Sequence, residues 1–405
     1  MSNWRNKKNK KNFFLFSVLF LCLFMLVQKK LSVRCVSVFR RCLTTLCAPQ
    51  KGDLVVMAMS GGVDSSVSAA LLKKQGYNVR GIYMRNWDTS DERGVCTSRE
   101  DWQDVQKVCK RLDIECEHVD FVKEYWNDVF EKTLDDYARG LTPNPDIACN
   151  SFIKFGALLD RIPKNAWFAT GHYCRSVNGR LLRGLEHNKD QSYYLSTVPE
   201  QALLRTIFPL GEVESKSTVK QLAKELGLQD IASKKESMGI CFVGQRRRFA
   251  EFLEQYIDQP PGPVVNLDNG QLIGQHQGLF GYTIGQASRI CHGSEKWFVA
   301  QKIMSENKLV CVAGSNHPAL FHNGCIARDW VWIHHGPPKG FDGSMVVDAQ
   351  IRYRQSPEKA ILSCQPDGQY SVRFMNPIRA IARGQQVVVW DQDWCLGGGV
   401  IERVL

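Results

Sequence analysis

Residues 54–66, which read LVVMAMSGGVDSS, constrain this chain more than any other stretch. The apolar run Leu54–Met59 leads straight into Ser60, Gly61 and Gly62. Val63, Val67, Ala70 and Leu71 then recur at helical spacing. A short apolar run ending in a glycine turn reads as a buried strand, so the stretch is strand, tight turn, helix. Glycines let the backbone turn sharply and approach a ligand closely. The N–H groups of such a turn and of the helix start converge on an anion, and the helix dipole assists. Ser60, Ser65 and Ser66 add hydroxyl donors. The G-x-x-x-x-G-K-[ST] loop with its lysine is not present, nor is G-x-G-x-x-G. The plain alternative is a Gly-Gly turn with a Ser/Asp cap.

The same alternation continues along the chain. Val79–Met84 reads as a second strand, and Trp102, Val105, Val108, Cys109 and Leu112 mark a helix. A strand follows near His118–Phe121, then helices carrying Trp126–Tyr137 and Phe152–Ile162, then a strand at Trp167–Thr170. Strands alternating with helices predict a parallel sheet covered on both faces. The texture changes after residue 248. Residues 251–315 are rich in Gly and Pro, and from 316 onward MVVDAQIRY, KAILSC, YSVRF and QQVVVWD are strand candidates separated by turn residues. A small barrel is the expected form there. The predicted organisation is a leader (1–52), an α/β domain (53–248), a small central domain (249–315) and a C-terminal β-barrel (316–405).

Composition matters chiefly for the leader. The chain has 405 residues, 44% apolar and 23% charged, which is ordinary globular usage. Its net charge of +11 is misleading. Residues 1–52 hold Arg5, Lys7, Lys8, Lys10, Lys11, Lys29, Lys30, Arg34, Arg40, Arg41 and Lys51 and no acidic residue, so the body is formally neutral. Any nucleic-acid site in the body must therefore be a local patch. Phe13–Val27 is a fifteen-residue apolar run, short for a membrane span. Residues 28–52 are basic, contain Ser and Thr and lack acids, as mitochondrial transit peptides do. A start at Met25 would leave a plain presequence; a signal anchor and an upstream segment without a role are the alternatives. The chain has fifteen cysteines and no C-x-x-C pair, so zinc-ribbon and thioredoxin signatures are missing.

SGGVDSS resembles the pyrophosphate-binding loop of the PP-loop ATPases, which cleave ATP between the α and β phosphates and adenylate a substrate oxygen. Longer stretches narrow the resemblance. TPNPDIACN (142–150), KESMGICFVG (235–244), ATGHY (169–173), YMRNWD (83–88), LRGLEHNKDQSYYL (182–195) and CLGGGVIE (395–402) are similar to the tRNA-specific 2-thiouridylases, in their bacterial and mitochondrial forms. The resemblance covers nearly all of 54–405. It implies the adenine nucleotide alpha hydrolase-like α/β fold and ATP-dependent 2-thiolation of a wobble uridine in tRNA. It also implies adenylation of the C2 oxygen and delivery of sulfur from a cysteine persulfide.

The resemblance further implies particular residues. Cys149 is the nucleophile, Cys241 the persulfide carrier, and Asp146 an acid or base near the uridine. Asn144, Pro145 and Asp146 face the target base. Ala58, Met59, Ser60, Gly61, Gly62, Val63, Asp64, Ser65, Met84 and Gly171 contact ATP, with Asp64 placed to help hold Mg²⁺. Lys189, Asp190 and Gln191, together with Arg352 and Tyr353, contact tRNA. A basic cluster, Lys234, Lys235 and Arg246–Arg248, brackets the Cys241 motif and suits tRNA phosphates. Tyr282–Gln286 departs from the family pattern, since Ala287, Ser288 and Arg289 follow it. The expected partners are tRNA and a persulfide donor fed by a cysteine desulfurase, with no stable membrane partner. ATP and tRNA meet in the mitochondrial matrix, which is the expected location. The rival reading is another AMP-forming PP-loop synthetase, which needs no cysteine pair.

Overall fold

The computed structural model describes residues 48–87, 97–233 and 249–405. The apolar run of the leader, the segment with Cys96 and the segment with Cys241 and its basic neighbours lie outside the described residues. The unit described below is Lys51–Leu405.

Its first layer is built on β1 (Leu54–Met59), followed by α1 (Val63–Lys74), β2 (Asn78–Arg85), α2 (Thr97–Leu112) and β3 (Glu115–Asp120). After a helical region come β4 (Trp167–Ala169), β5 (Cys174–Val177), β6 (Arg180–Arg183), β7 (Thr206–Ile207) and α3 (Lys216–Glu225). Five of these strands pair in the order β3-β2-β1-β4-β7, all parallel. Side chains alternate across a strand, so β1 feeds two cores. Val55, Met57 and Met59 pack with Val67, Ala70 and Leu72 of α1, while Val56 packs on the other face with Ile153, Leu158 and Phe168. That is why LVVMAM is a continuous apolar run rather than an alternating one. The chain runs outward from β1 to β3, then crosses back to β4 and β7. The order therefore reverses at β1, and open α/β sheets bind ligands beyond the carboxyl ends of their strands at such a point.

Between β3 and β4 the chain is helical where the apolar spacing predicts it. One detail has no sequence signal: Trp126–Phe130 and Cys149–Leu158 wind as π-helix. Such wide turns concentrate at functional sites.

The central part forms a four-stranded sheet of β8 (Gly262–Asn266), β9 (Leu272–His276), β10 (Trp297–Ile303) and β11 (Lys308–Ala313), ordered β10-β11-β8-β9. The last part contains β12 (Phe321–Trp332), β13 (Ser344–Gln350), β14 (Glu358–Cys364), β15 (Tyr370–Arg379), β16 (Gln386–Asp391) and β17 (Trp394–Val404). These six antiparallel strands run β12-β15-β14-β13-β16-β17, and β12 pairs with β17 to close the barrel. Closure removes the free sheet edges. The sequence reading names the four inner segments of this barrel but not β12 or β17.

The hairpin β5–β6 also lacks a strand expectation. It lies within the α/β part of the chain, yet Leu182 pairs with Trp394 and extends the barrel's sheet. Beside it the Arg183 guanidinium sits 4.0 Å over the Trp390 ring, and the Trp390 indole N–H donates to Ser192 Oγ at 3.1 Å. Trp390 is fully buried among residues of the first domain, so the barrel is docked on that domain.

Candidate active site

The phosphate loop is held by its own short side chains. Ser65 Oγ donates to the Gly62 carbonyl at 3.2 Å and accepts from Ser60 N–H at 3.2 Å. Ser66 Oγ donates to the same carbonyl at 2.8 Å. Gly62 is the N-cap of α1, and no side chain caps the helix there. The first-turn N–H groups, which have no intrahelical acceptor, are thus left to an anion. Gly61 has φ +75°, and a Cβ there would lie 2.8 Å from the Asp101 carbonyl oxygen of α2. Gly171 is needed for close approach, because a Cβ would lie 3.0 Å from the Ser65 nitrogen. Ala58 and Met59 end β1 directly below the loop, and Met84 stands near the end of neighbouring β2. Gly171 thereby joins the other loop residues at one sheet edge.

The acid of the loop is not isolated. Asp64 Oδ1 accepts from the Tyr173 hydroxyl at 2.7 Å, and the Lys216 ammonium lies 2.5 and 2.6 Å from the two carboxylate oxygens. Lys216 opens α3 and is largely buried. Mg²⁺ is commonly held by one or two carboxylates plus substrate phosphates. Asp64 fits that role, provided Lys216 yields one oxygen to the ion.

The cysteine side is built on the helical run that starts at Pro145. Asn144 is its N-cap and accepts from Asp146 N–H at 3.2 Å, with Pro145 at the first helical position. Both choices favour a helix start. Cys149 begins the π-helical stretch and is 5% exposed. The Asn86 amide nitrogen, just beyond β2, donates to Cys149 Sγ at 3.8 Å. Desolvation raises the Asp146 carboxyl to about 6, against the pull of the Lys154 charge. Desolvation also holds His172 well below its ordinary value, and Lys154 adds to that. His172 Nδ1 lies 2.8 Å from Thr170 Oγ1. The neutral imidazole and the acid thus face one lysine. Through Gly171 and His172 the phosphate loop is continuous with the cysteine helix.

Comparison with known proteins decides the family. A profile described as "tRNA methyl transferase HUP domain" matches residues 53–245, a PRC-barrel domain profile matches 250–313 and an aminomethyltransferase β-barrel domain profile matches 322–401. The tRNA-specific 2-thiouridylase MnmA of Halalkalibacterium halodurans is 46% identical over 359 residues, covering 87% of this chain and 95% of that protein. The enzyme of the same name from Salmonella arizonae is 43% identical over 364 residues, covering 87% and 97%. This chain belongs to the tRNA-specific 2-thiouridylase family. Among solved structures, a 4-thiouridine synthetase–RNA complex with bound ATP overlays with a TM-score of 0.31 and 17% identity. It covers 50% of each chain, too loosely to carry an argument.

The barrel brings the remaining thiouridylase positions to the cysteine side. The Tyr353 hydroxyl donates to the Lys189 carbonyl at 3.3 Å, joining two segments that lie 164 positions apart. The Tyr353 ring lies 4.4 Å from that of Tyr194. Asn150, next to Cys149, donates through its amide to the Tyr194 carbonyl at 3.2 Å. Tyr194 therefore links the Cys149 helix to the barrel. Not every expected contact residue points outward. Asp190 is buried, and its carboxylate accepts from Gly184 N–H, Ser192 N–H, the Ser192 hydroxyl and Arg183. Burial raises its pKa, and these donors oppose the rise. Gln191 clamps Tyr173 through both backbone and side chain, at 2.8 and 3.0 Å. Arg352 donates to the carbonyls of Arg379 and Ala380. Asp190 is thus buried outright, while Lys189, Gln191, Arg352 and Tyr353 are all half-buried.

The sequence reading missed Asn86, Lys154, Tyr173, Tyr194 and Lys216 as site residues. Asn86, Tyr173 and Tyr194 lie inside stretches that carry the resemblance, so their signal was present. Lys216 opens an ordinary amphipathic helix and had none. Cys241, Lys234, Lys235 and Arg246–Arg248 lie outside the described residues, so no distance relates Cys241 to Cys149.

Proposed function

We propose that this protein is an ATP-dependent tRNA 2-thiouridylase acting on the wobble uridine, using Cys149 and Cys241 as its sulfur-handling pair. The observation that carries this reading is the match to curated 2-thiouridylases over 87% of the chain and at least 95% of theirs. It includes both the SGGVDSS loop and the NPDIAC segment.

In this reading the uncapped start of α1 takes the polyphosphate. Lys216 exchanges its ion pair with Asp64 for a phosphate oxygen. Asp64 would hold Mg²⁺ together with the phosphates, and the ion would supply counter-charge for the pyrophosphate. The uridine C2 oxygen attacks the α-phosphorus, the bond to the β-phosphate oxygen breaks, and pyrophosphate leaves. Asp146, with a pKa of about 6, is poised near neutral pH to take up or give back a proton beside the uridine. Sulfur arrives as the terminal atom of a persulfide on Cys241. Cys149 attacks the inner sulfur, a disulfide forms, and the sulfide released adds to C2 as AMP leaves. Direct attack by the persulfide on C2, resolved by Cys149, has the same balance.

A persulfide donor fed by a cysteine desulfurase supplies the sulfur. The mitochondrial matrix is the proposed location, supported by the acid-free basic segment 28–52 and by the need for tRNA and ATP together. Among the described residues no helix is long and apolar enough to cross a membrane.

The test is nucleoside mass spectrometry of unmodified tRNA incubated with the full chain, ATP, Mg²⁺ and a persulfide source, beside Cys241→Ser. The reading expects 2-thiouridine with the wild type and none with the variant. Pyrophosphate release without thiouridine from either protein would instead favour an AMP-forming synthetase.

A further inference from the structure

We propose that Asn86 is a specificity-determining residue, whose side-chain oxygen accepts the N3–H of the target uridine while its amide nitrogen positions the Cys149 sulfur. This inference rests on the thiouridylase reading. Asn86 directly follows β2, the neighbour of β1, at the sheet edge that carries the phosphate loop. It is only 5% exposed. One end of its planar amide donates to Cys149 Sγ at 3.8 Å. Among the described residues the other end, Oδ1, is buried and accepts from no donor. The next residue after the nucleophile repeats the pattern: Asn150 donates to the Tyr194 carbonyl, and its own Oδ1 is buried and unfilled. Buried acceptors without a donor are costly and rare. One of them sits on the amide that touches the Cys149 sulfur, which points to a ligand with a donor next to its reacting atom.

Uracil has that arrangement. Its reacting C2 lies between N1, which carries the ribose, and N3, which carries the ring's N–H. Cytosine has the same C2 carbonyl, but its N3 is an acceptor. Placed against Asn86 Oδ1, cytosine would set lone pair against lone pair, and a site built to pair a donor rejects the base that lacks it. Asn86 is favoured over Asn150 because its donor end already touches the sulfur that must work beside C2. Hydrogen bonding to a sulfur also favours its thiolate over its thiol.

The test uses the full chain and anticodon stem-loops bearing U, 3-methyluridine or C at the wobble position, without ATP. Wild type should bind the U loop at least about tenfold more tightly than the other two. Asn86→Ala should bring the three affinities to within about twofold. It should also move the pH midpoint of Cys149 alkylation upward, which a merely structural loss elsewhere would not do. Asn86→Asp keeps an acceptor and loses the donor, so it should retain the U preference and still show the upward midpoint. Wild type binding all three loops equally would overturn the inference, and this arm needs no variant. So would an Asn86→Ala protein with both the preference and the midpoint unchanged. Thiouridine formation by the same wild-type preparation separates the two levels. If thiouridine forms and the preference is missing, only the Asn86 inference fails; if none forms, the reading beneath it fails.

Discussion

The two halves of the site are made in different ways. The phosphate half is local: Ser60, Gly61, Gly62, Ser65 and Ser66 lie within seven positions and are braced mainly by one another. The cysteine half is assembled from afar. Asn86, Asn144–Lys154, His172, Tyr194 and Tyr353 come from four connections of the α/β layer and from the barrel. Anion binding asks mainly for backbone N–H groups at a helix start, which a short motif supplies. Handling a base and a sulfur asks for side chains on several sides of one atom, and only tertiary folding brings those together.

The sharpest way to break the comparison is at Gly61. Its φ of +75°, and the Asp101 carbonyl oxygen that would stand 2.8 Å from any Cβ, leave no room for a side chain. Gly61→Val should abolish ATP binding in equilibrium dialysis, a loss of at least about 100-fold, because the strain falls on the loop itself. Binding of a tRNA stem-loop by the same protein should change by less than about threefold if the halves are separable. Lys216→Ala comes next. It removes the counter-charge of Asp64 and the proposed phosphate contact, so kcat/KM for ATP should fall about 30-fold. Lys216→Arg should recover part of it, and tRNA affinity should hold. An Ala variant with normal ATP kinetics would remove Lys216 from the site.

Asp146 sharpens the comparison from the other side. Its folded pKa of about 6 exceeds the ordinary 3.8. A carboxyl raised on folding binds more protons folded than unfolded between those values, so its contribution to stability falls as pH rises from about 4 to about 6. Asp146→Asn should therefore raise the melting temperature at pH 7, by up to about 3 kcal/mol in stability. The same change should lower thiolation about 100-fold and remove a rate midpoint near pH 6. A variant that is both less stable and still active would contradict this account of the acid. The smallest effect is expected at the barrel rim. Tyr353→Phe loses only the bond to the Lys189 carbonyl, and tRNA affinity should fall less than about threefold. Tyr353→Ala also loses the ring against Tyr194 and should cost about tenfold. Filter binding distinguishes the two.

The same contrast explains what the sequence made legible. LVVMAM and SGGVDSS are contiguous and need only local rules, so the strand, the turn and the start of the helix were readable. The barrel announced itself through β-branched runs such as QQVVVWD. Its closing strands β12 and β17 did not, because one carries a Gly-rich stretch and the other irregular pairing. Asp190 reads as a tRNA contact because its segment, with Lys189 and Gln191, resembles one in the family. The fold instead buries it under four internal donors, which no local pattern announces. The π winding that begins at Cys149 is set by packing, and Lys216 meets Asp64 only because α3 folds back across α1.

The central claim is that both halves serve one substrate. The most direct test is pyrophosphate release by Cys149→Ser, followed in single turnover with and without unmodified tRNA. The account predicts a burst of pyrophosphate that requires tRNA and yields no thiouridine, since the phosphate half remains intact while sulfur transfer is blocked. Release at the same rate without tRNA, or thiouridine formed by this variant, would contradict it.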